Sequence, residues 1–144
     1  MIYLDTSVVL AHLLSEDRRP PASLWAESLA SSRLLIYEVY NRLHARGLGD
    51  SHGESARQIL ARIGFLELAE PIISRALDPF PTSVRTLDAL HLASAEFLVR
   101  RQQSVKIASY DVRLLEAAHA LGFDQAVRHR GERSVAPPAF SVTG

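Results

Sequence analysis

The chain has 144 residues, 47% of them hydrophobic, which suits one domain with a core of its own. It has no cysteine, so disulfides, thiolate nucleophiles and Cys-ligated zinc are excluded, and a reducing compartment is consistent with that. Sixteen basic residues balance sixteen acidic ones, which excludes a strongly basic nucleic-acid coat protein but not a local contact with a polyanion. Lys106 is the only lysine; the other cations are arginine, suited to two-pronged contacts with carboxylates and phosphates.

Ile2 to Leu4 reads as a short buried strand, and Asp5, Thr6 and Ser7 offer caps for a helix over the apolar run Val8 to Leu14. No basic residue precedes this run and Asp5 breaks it, so it does not read as a signal peptide. No stretch approaches the roughly 20 apolar residues of a membrane span, and a soluble, cytoplasmic protein is expected. Pro20 and Pro21 open a helix holding Leu24 and Trp25. Ser31 or Ser32 caps the next helix, which runs to about Arg46 with Leu35, Val39 and Leu43 at helical spacing. Gly47 and Gly49 end it. A further amphipathic helix is predicted from about Glu54 to Ile63, with Gly64 as its stop. The segment from Phe65 to Ala69 alternates as a strand, Pro71 opens a short helix, and Asp78 to Pro81 form a turn. The longest helix is predicted over 84–101, apolar on most sides. Val105 to Ala108 reads as a strand, Asp111 caps a helix that Gly122 terminates, and Ala126 and Val127 form a last short strand.

Strands alternating with helices predict an α/β fold around a mostly parallel central sheet flanked by helices. With no internal repeat or low-complexity linker, one domain is expected over residues 1–136 and a flexible C-terminal tail over 137–144.

In such sheets ligands bind at the carboxyl ends of the strands. Asp5 and Asp111 both follow predicted strands, while Glu38 and Asp88 lie on helices able to pack beside that edge. Asp5 and Asp88 interrupt nearly continuous apolar runs, where a carboxylate is costly without a cation, a metal or hydrogen-bond donors. Several carboxylates gathered at one pocket suit a hard divalent cation such as Mg²⁺. Each acid also has a plainer reading: Asp5 and Asp111 as N-caps, Glu38 as an exposed helix residue, and Asp88 as a partner of Arg85, one turn back. His91, three residues after Asp88, reads as a core or rim histidine, because no second His stands at metal-ligand spacing. Ser7 lacks the G-x-S-x-G elbow of a nucleophile.

The opening Ile-Tyr-Leu-Asp5-Thr6-Ser7, the helical Glu38, the stretch Leu-Asp88-Ala-Leu-His-Leu-Ala and Ser109-x-Asp111, in that order and spacing, resemble the PIN-domain family. Within it the chain looks most like the VapC-type toxins of type II toxin–antitoxin pairs, over about Ile2 to Val127. The resemblance implies a PIN-like three-layer sandwich and a metal-dependent endoribonuclease. The family's acids carry over onto Asp5, Glu38, Asp88 and Asp111 as catalytic residues holding one or two Mg²⁺ or Mn²⁺ ions. Thr6 and Ser7 follow the first acid as supporting hydroxyls, and Ser109 stands where the family often has Thr. The resemblance further implies an RNA substrate, a homodimer and a cognate antitoxin whose tail reaches the active site. Arg85, with Arg42, Arg46 and Arg113 behind it, is the candidate for positioning phosphates.

Three other readings compete. A phosphoacceptor receiver domain needs a lysine beside its acids, and Lys106 lies in or before a strand. A haloacid-dehalogenase-type phosphatase needs a second Asp where Ser7 stands. A degenerate PIN-like module would bind RNA or protein without catalysis, which the intact set of four acids disfavours.

Overall fold

The computed structural model describes residues 1–14, 19–101 and 103–127. The boundary expected after residue 136 and the tail at 137–144 lie outside the described residues. In chain order the elements are β1 (Ile2–Leu4), α1 (Thr6–Leu13), a 3₁₀ helix (Ala22–Ala26), β2 (Leu29–Ser32), α2 (Leu34–Ala45) and α3 (Gly49–Leu60). They continue with β3 (Gly64–Leu66), α4 (Glu70–Leu77), α5 (Thr86–Arg100), β4 (Lys106–Ala108), α6 (Val112–Ala120) and β5 (Asp124–Gln125). The strands form one sheet in the order β3-β2-β1-β4-β5, and every neighbouring pair is parallel.

Side chains alternate across the sheet, which sorts the core into two layers. Leu4 and Ala108 pack with Val8, Val9, Leu35, Val39, Leu43 and Ile59 of α1, α2 and α3. Tyr3 and Ile107 pack with Leu92 and Ala95 of α5 and Leu114, Ala117 and Ala118 of α6. Helices thus cover both faces of the sheet, giving the three-layer α/β sandwich. The chain winds outward from β1 to β3, then returns to place β4 on the other side of β1. The order reverses between β1 and β4, and the crevice at their carboxyl ends is where such sheets take ligands. Among the described residues, no helix is long and apolar enough to cross a membrane.

Several elements differ from expectation. The segment Leu29–Ser32 is a strand, not merely a cap. Its two serines satisfy themselves locally, Ser31 Oγ donating to the Leu4 carbonyl at 2.7 Å and Ser32 Oγ accepting from Leu34 N at 3.2 Å. The diproline leads into a 3₁₀ turn rather than an α-helix. Gly49 begins α3 instead of ending α2, β5 ends immediately before Ala126, and α5 starts after Arg85. Gly47 does end α2. It adopts φ +67°, Gly47 N donates to His44 O at 3.0 Å, and Leu48 N donates to Leu43 O at 2.8 Å. This paired arrangement closes the helix end and folds Leu48 back onto the core.

Candidate active site

Asp5 leaves β1 at its carboxyl end and caps α1. Its Oδ2 accepts from Ser7 N at 3.3 Å, Ser7 Oγ at 2.6 Å and Ser109 Oγ at 2.9 Å. Ser7 Oγ accepts in turn from Tyr110 N at 2.9 Å, and Ser109 Oγ from Asp111 N at 2.9 Å. These bonds sew the turn after β1 to the turn after β4, across the switch point. Asp111, separated from β4 by Ser109 and Tyr110, caps α6 through Oδ1, which accepts from Arg113 N at 3.0 Å and Leu114 N at 3.3 Å.

Asp88 occupies the first turn of α5 and is only 8% exposed. Arg85 reaches Asp88 Oδ2 with Nε at 3.3 Å and Asp111 Oδ2 with Nη2 at 2.7 Å. Burial, and after it the charge of Asp111, push the Asp88 carboxyl pKa up, and the Arg85 guanidinium offsets this only in part. Glu38 comes from α2, on the opposite layer. Its Oε1 accepts from Thr6 Oγ1 at 3.0 Å and from His91 Nε2 at 2.6 Å. His91 is 1% exposed, and its Nδ1 lies 2.8 Å from the Tyr3 hydroxyl. Burial works against charge on this imidazole. The bond to Glu38 and the charges of Asp5, Glu38 and Asp88 outweigh it and raise the His91 pKa. Burial also pushes the Tyr3 phenol up, so it remains a neutral hydroxyl.

All four acids, with Thr6, Ser7 and Arg85, line one open cleft of about 730 Å³. Arg42 also lines it, and shares with Arg46 an adjoining recess of about 330 Å³; Arg113 lines neither. Most of the plainer readings hold alongside this convergence: Asp5 and Asp111 are caps, Asp88 pairs with Arg85, and His91 is a core residue. Glu38, however, is not an exposed helix residue, because its bonds to Thr6 and His91 draw it in to a side-chain exposure of 18%. The acids divide their oxygens. Among the described residues, no donor reaches Asp5 Oδ1, Glu38 Oε2 or Asp88 Oδ1. As the side chains stand, no three His, Asp or Glu groups among the described residues close on one ion-sized point. Arg85 bridges Asp88 and Asp111.

Sequence reasoning set His91 aside and gave Tyr3 no role. Both had a signal: His91 follows Asp88 at helical spacing on one face, and Tyr3 precedes Asp5 by two residues in a strand. Tyr37, next to Glu38 and 69% exposed, also lines the cleft, and the sequence reading gives it no role. Lys106 opens β4 at its amino end, away from the acids, so the receiver-domain arrangement does not apply. The position two residues after Asp5 holds a serine whose hydroxyl donates to that same carboxylate, unlike a haloacid-dehalogenase site.

A three-layer parallel α/β fold with acids from four separate elements at its switch point defines the class. The model of the PIN domain matches residues 2–120. The chain belongs to the PIN-domain family, among its VapC-type members. It is 35% identical to Ribonuclease VapC47 of Mycobacterium tuberculosis over 130 residues, covering 85% of this chain and 93% of that protein. Ribonuclease VapC46 of the same organism is 30% identical over 124 residues, covering 84% and 92%. Ribonuclease VapC35, also of that organism, is 29% identical over 124 residues.

Proposed function

We propose that this chain is a divalent-metal-dependent endoribonuclease, the toxin of a type II toxin–antitoxin pair. One observation carries the reading: Asp5, Glu38, Asp88 and Asp111 line a single cleft at the sheet's switch point, and three of them present an oxygen with no donor from the described residues. Relatives named as ribonucleases support the reaction class. Nothing favours a PIN-like module without catalysis.

The donor set fits a hard cation, because it is built of carboxylate oxygens alone, with no thiolate in the chain. Asp5, Glu38, Asp88 and Asp111 are the residues that would hold Mg²⁺ or Mn²⁺. When bound, such an ion lowers the pKa of a water and neutralises charge on the scissile phosphate. The chain supplies the rest. Ser7 and Ser109 hold one oxygen of Asp5 so that the other faces the cleft. Thr6 does the same for Glu38. Arg85 brings positive charge beside the acids, where a phosphodiester must approach a negative wall. An open cleft of this kind suits single-stranded or looped RNA, whose backbone and unstacked bases are accessible. The protein acts in the cytoplasm as a homodimer, and a cognate antitoxin silences it by bringing a basic side chain to the acidic cleft.

The test is a map of cleavage sites on total RNA for the parent chain and Asp5→Asn, with Mg²⁺ and with excess chelator. Discrete cuts are expected from the parent with Mg²⁺ and from neither control. Undiminished cutting in chelator would overturn the metal reading.

A further inference from the structure

Glu38 sits inside α2, where neither a cap nor a turn fixes its side chain. Both of its donors, Thr6 Oγ1 at 3.0 Å and His91 Nε2 at 2.6 Å, converge on the same oxygen, Oε1. An ionised carboxylate only accepts, so His91 Nε2 carries a proton. The other nitrogen is held as well. Tyr3 accepts the Ser32 backbone N–H at 3.1 Å and places its hydroxyl 2.8 Å from His91 Nδ1. If His91 is neutral, Nδ1 accepts a hydrogen bond from the Tyr3 hydroxyl; if charged, both nitrogens donate. In either state Nε2–H faces Glu38.

This buried chain, Ser32–Tyr3–His91–Glu38, runs through four elements. It starts at the end of β2, passes through β1 two residues before Asp5, crosses to α5 one turn after Asp88, and ends on α2. It therefore ties together the elements that carry three of the four acids. A fully buried imidazole needs both partners to offset its lost hydration, and here it has both.

We propose that His91 is a positioning residue, which turns Glu38 Oε1 inward and presents Oε2 to the cleft while Tyr3 fixes the imidazole from behind. The inference rests on the reading of Glu38 as a metal-facing carboxylate. Oriented supports of this kind set ligand geometry without touching the ion.

The test uses the full chain made by cell-free synthesis, with variants His91→Leu, His91→Gln, Tyr3→Phe and Glu38→Gln. Mn²⁺ binding is read by titration calorimetry, kcat and KM on a synthetic single-stranded RNA, and folding by urea denaturation. His91→Leu is expected to weaken Mn²⁺ binding by about tenfold and to lower kcat with KM little changed. His91→Gln, whose amide nitrogen can stand where Nε2 stands, should recover most of both. Tyr3→Phe should move Mn²⁺ binding in the same direction as His91→Leu, and it carries the test if the leucine variant does not fold. If Glu38→Gln binds Mn²⁺ like the parent, the reading of Glu38 fails and the inference goes with it. If Glu38→Gln loses binding while folded His91→Leu and Tyr3→Phe keep it, only the inference fails. Equal losses in His91→Leu and His91→Gln, both folded, also overturn it, because the donated hydrogen bond would then be irrelevant.

Discussion

Asp5 concentrates its structural hydrogen bonds on one oxygen. Oδ2 holds the start of α1 and the turn after β4, and no donor among the described residues reaches Oδ1. Asp88 has no such structural employment beyond a 3.3 Å contact to a largely exposed arginine, the kind of pair that contributes little. Its charge is disfavoured by burial and by Asp111. Asp88→Asn is therefore expected to melt at or above the metal-free parent at neutral pH, by on the order of 1 kcal/mol, and to lose both activity and the stabilisation that Mg²⁺ gives the parent. Melting curves with and without Mg²⁺ decide this, and a clear drop for the metal-free variant would identify Asp88 as a structural ion-pair partner. A second titrating residue, His12, does not line the cleft. His12 packs its ring against Trp25 at 4.8 Å between centroids, and its Nδ1 has no hydrogen-bond partner among the described residues. Burial, Arg19 and Arg62 hold its pKa below the ordinary 6.5. The unfolded chain then binds more protons than the native one just below that value, so stability falls as pH drops through it. Melting temperature between about pH 7.5 and 5.5 should fall less for His12→Phe than for the parent. Asp88 is legible from sequence because a carboxylate among leucines and alanines demands an explanation. The Tyr3–His91–Glu38 chain is not legible, because its members are scattered along the chain and only the packing of α5 on the face of the sheet brings them together.

At the scale of elements, helices with strong terminal signals are the legible ones. Asp5, Asp111, Gly47 and Gly122 mark helix ends in the sequence and serve there in the structure. Strand β2 escaped because Leu-Ala-Ser-Ser has no β-branched residue and no room to show alternation; its place is set by pairing with β1 and β3 on either side. The start of α3 escaped for a similar reason, since two glycines so close together read as punctuation. They differ physically. At φ +67° Gly47 holds a conformation that a Cβ opposes, whereas Gly53, inside α3, would place a Cβ 3.8 Å from Arg57 Nη1 and near nothing else. Gly47→Ala is expected to destabilise the protein by about 1 kcal/mol, and Gly53→Ala to stabilise it by about 0.5–1 kcal/mol. Urea denaturation of the two variants beside the parent measures both signs.

The described residues are organised around β1, the central strand of the sheet. That alternating helices and strands fold into a parallel sandwich is readable from the sequence, but the strand order is not, because nothing local says that β4 pairs beside β1 rather than beside β3. This order has a temporal consequence. A chain emerging from the ribosome makes Asp5 more than a hundred residues before the strand that completes the pairing of β1 and the serine and aspartate that meet it at the cleft. Until β4 docks, β1 has one open edge, Asp5 lacks the Ser109 hydrogen bond, and Arg85 and Asp88 have no Asp111 to face. A chain translated only through α5 therefore carries three of the four acids but neither the strand that pairs with the second edge of β1 nor the Asp111 that faces Arg85.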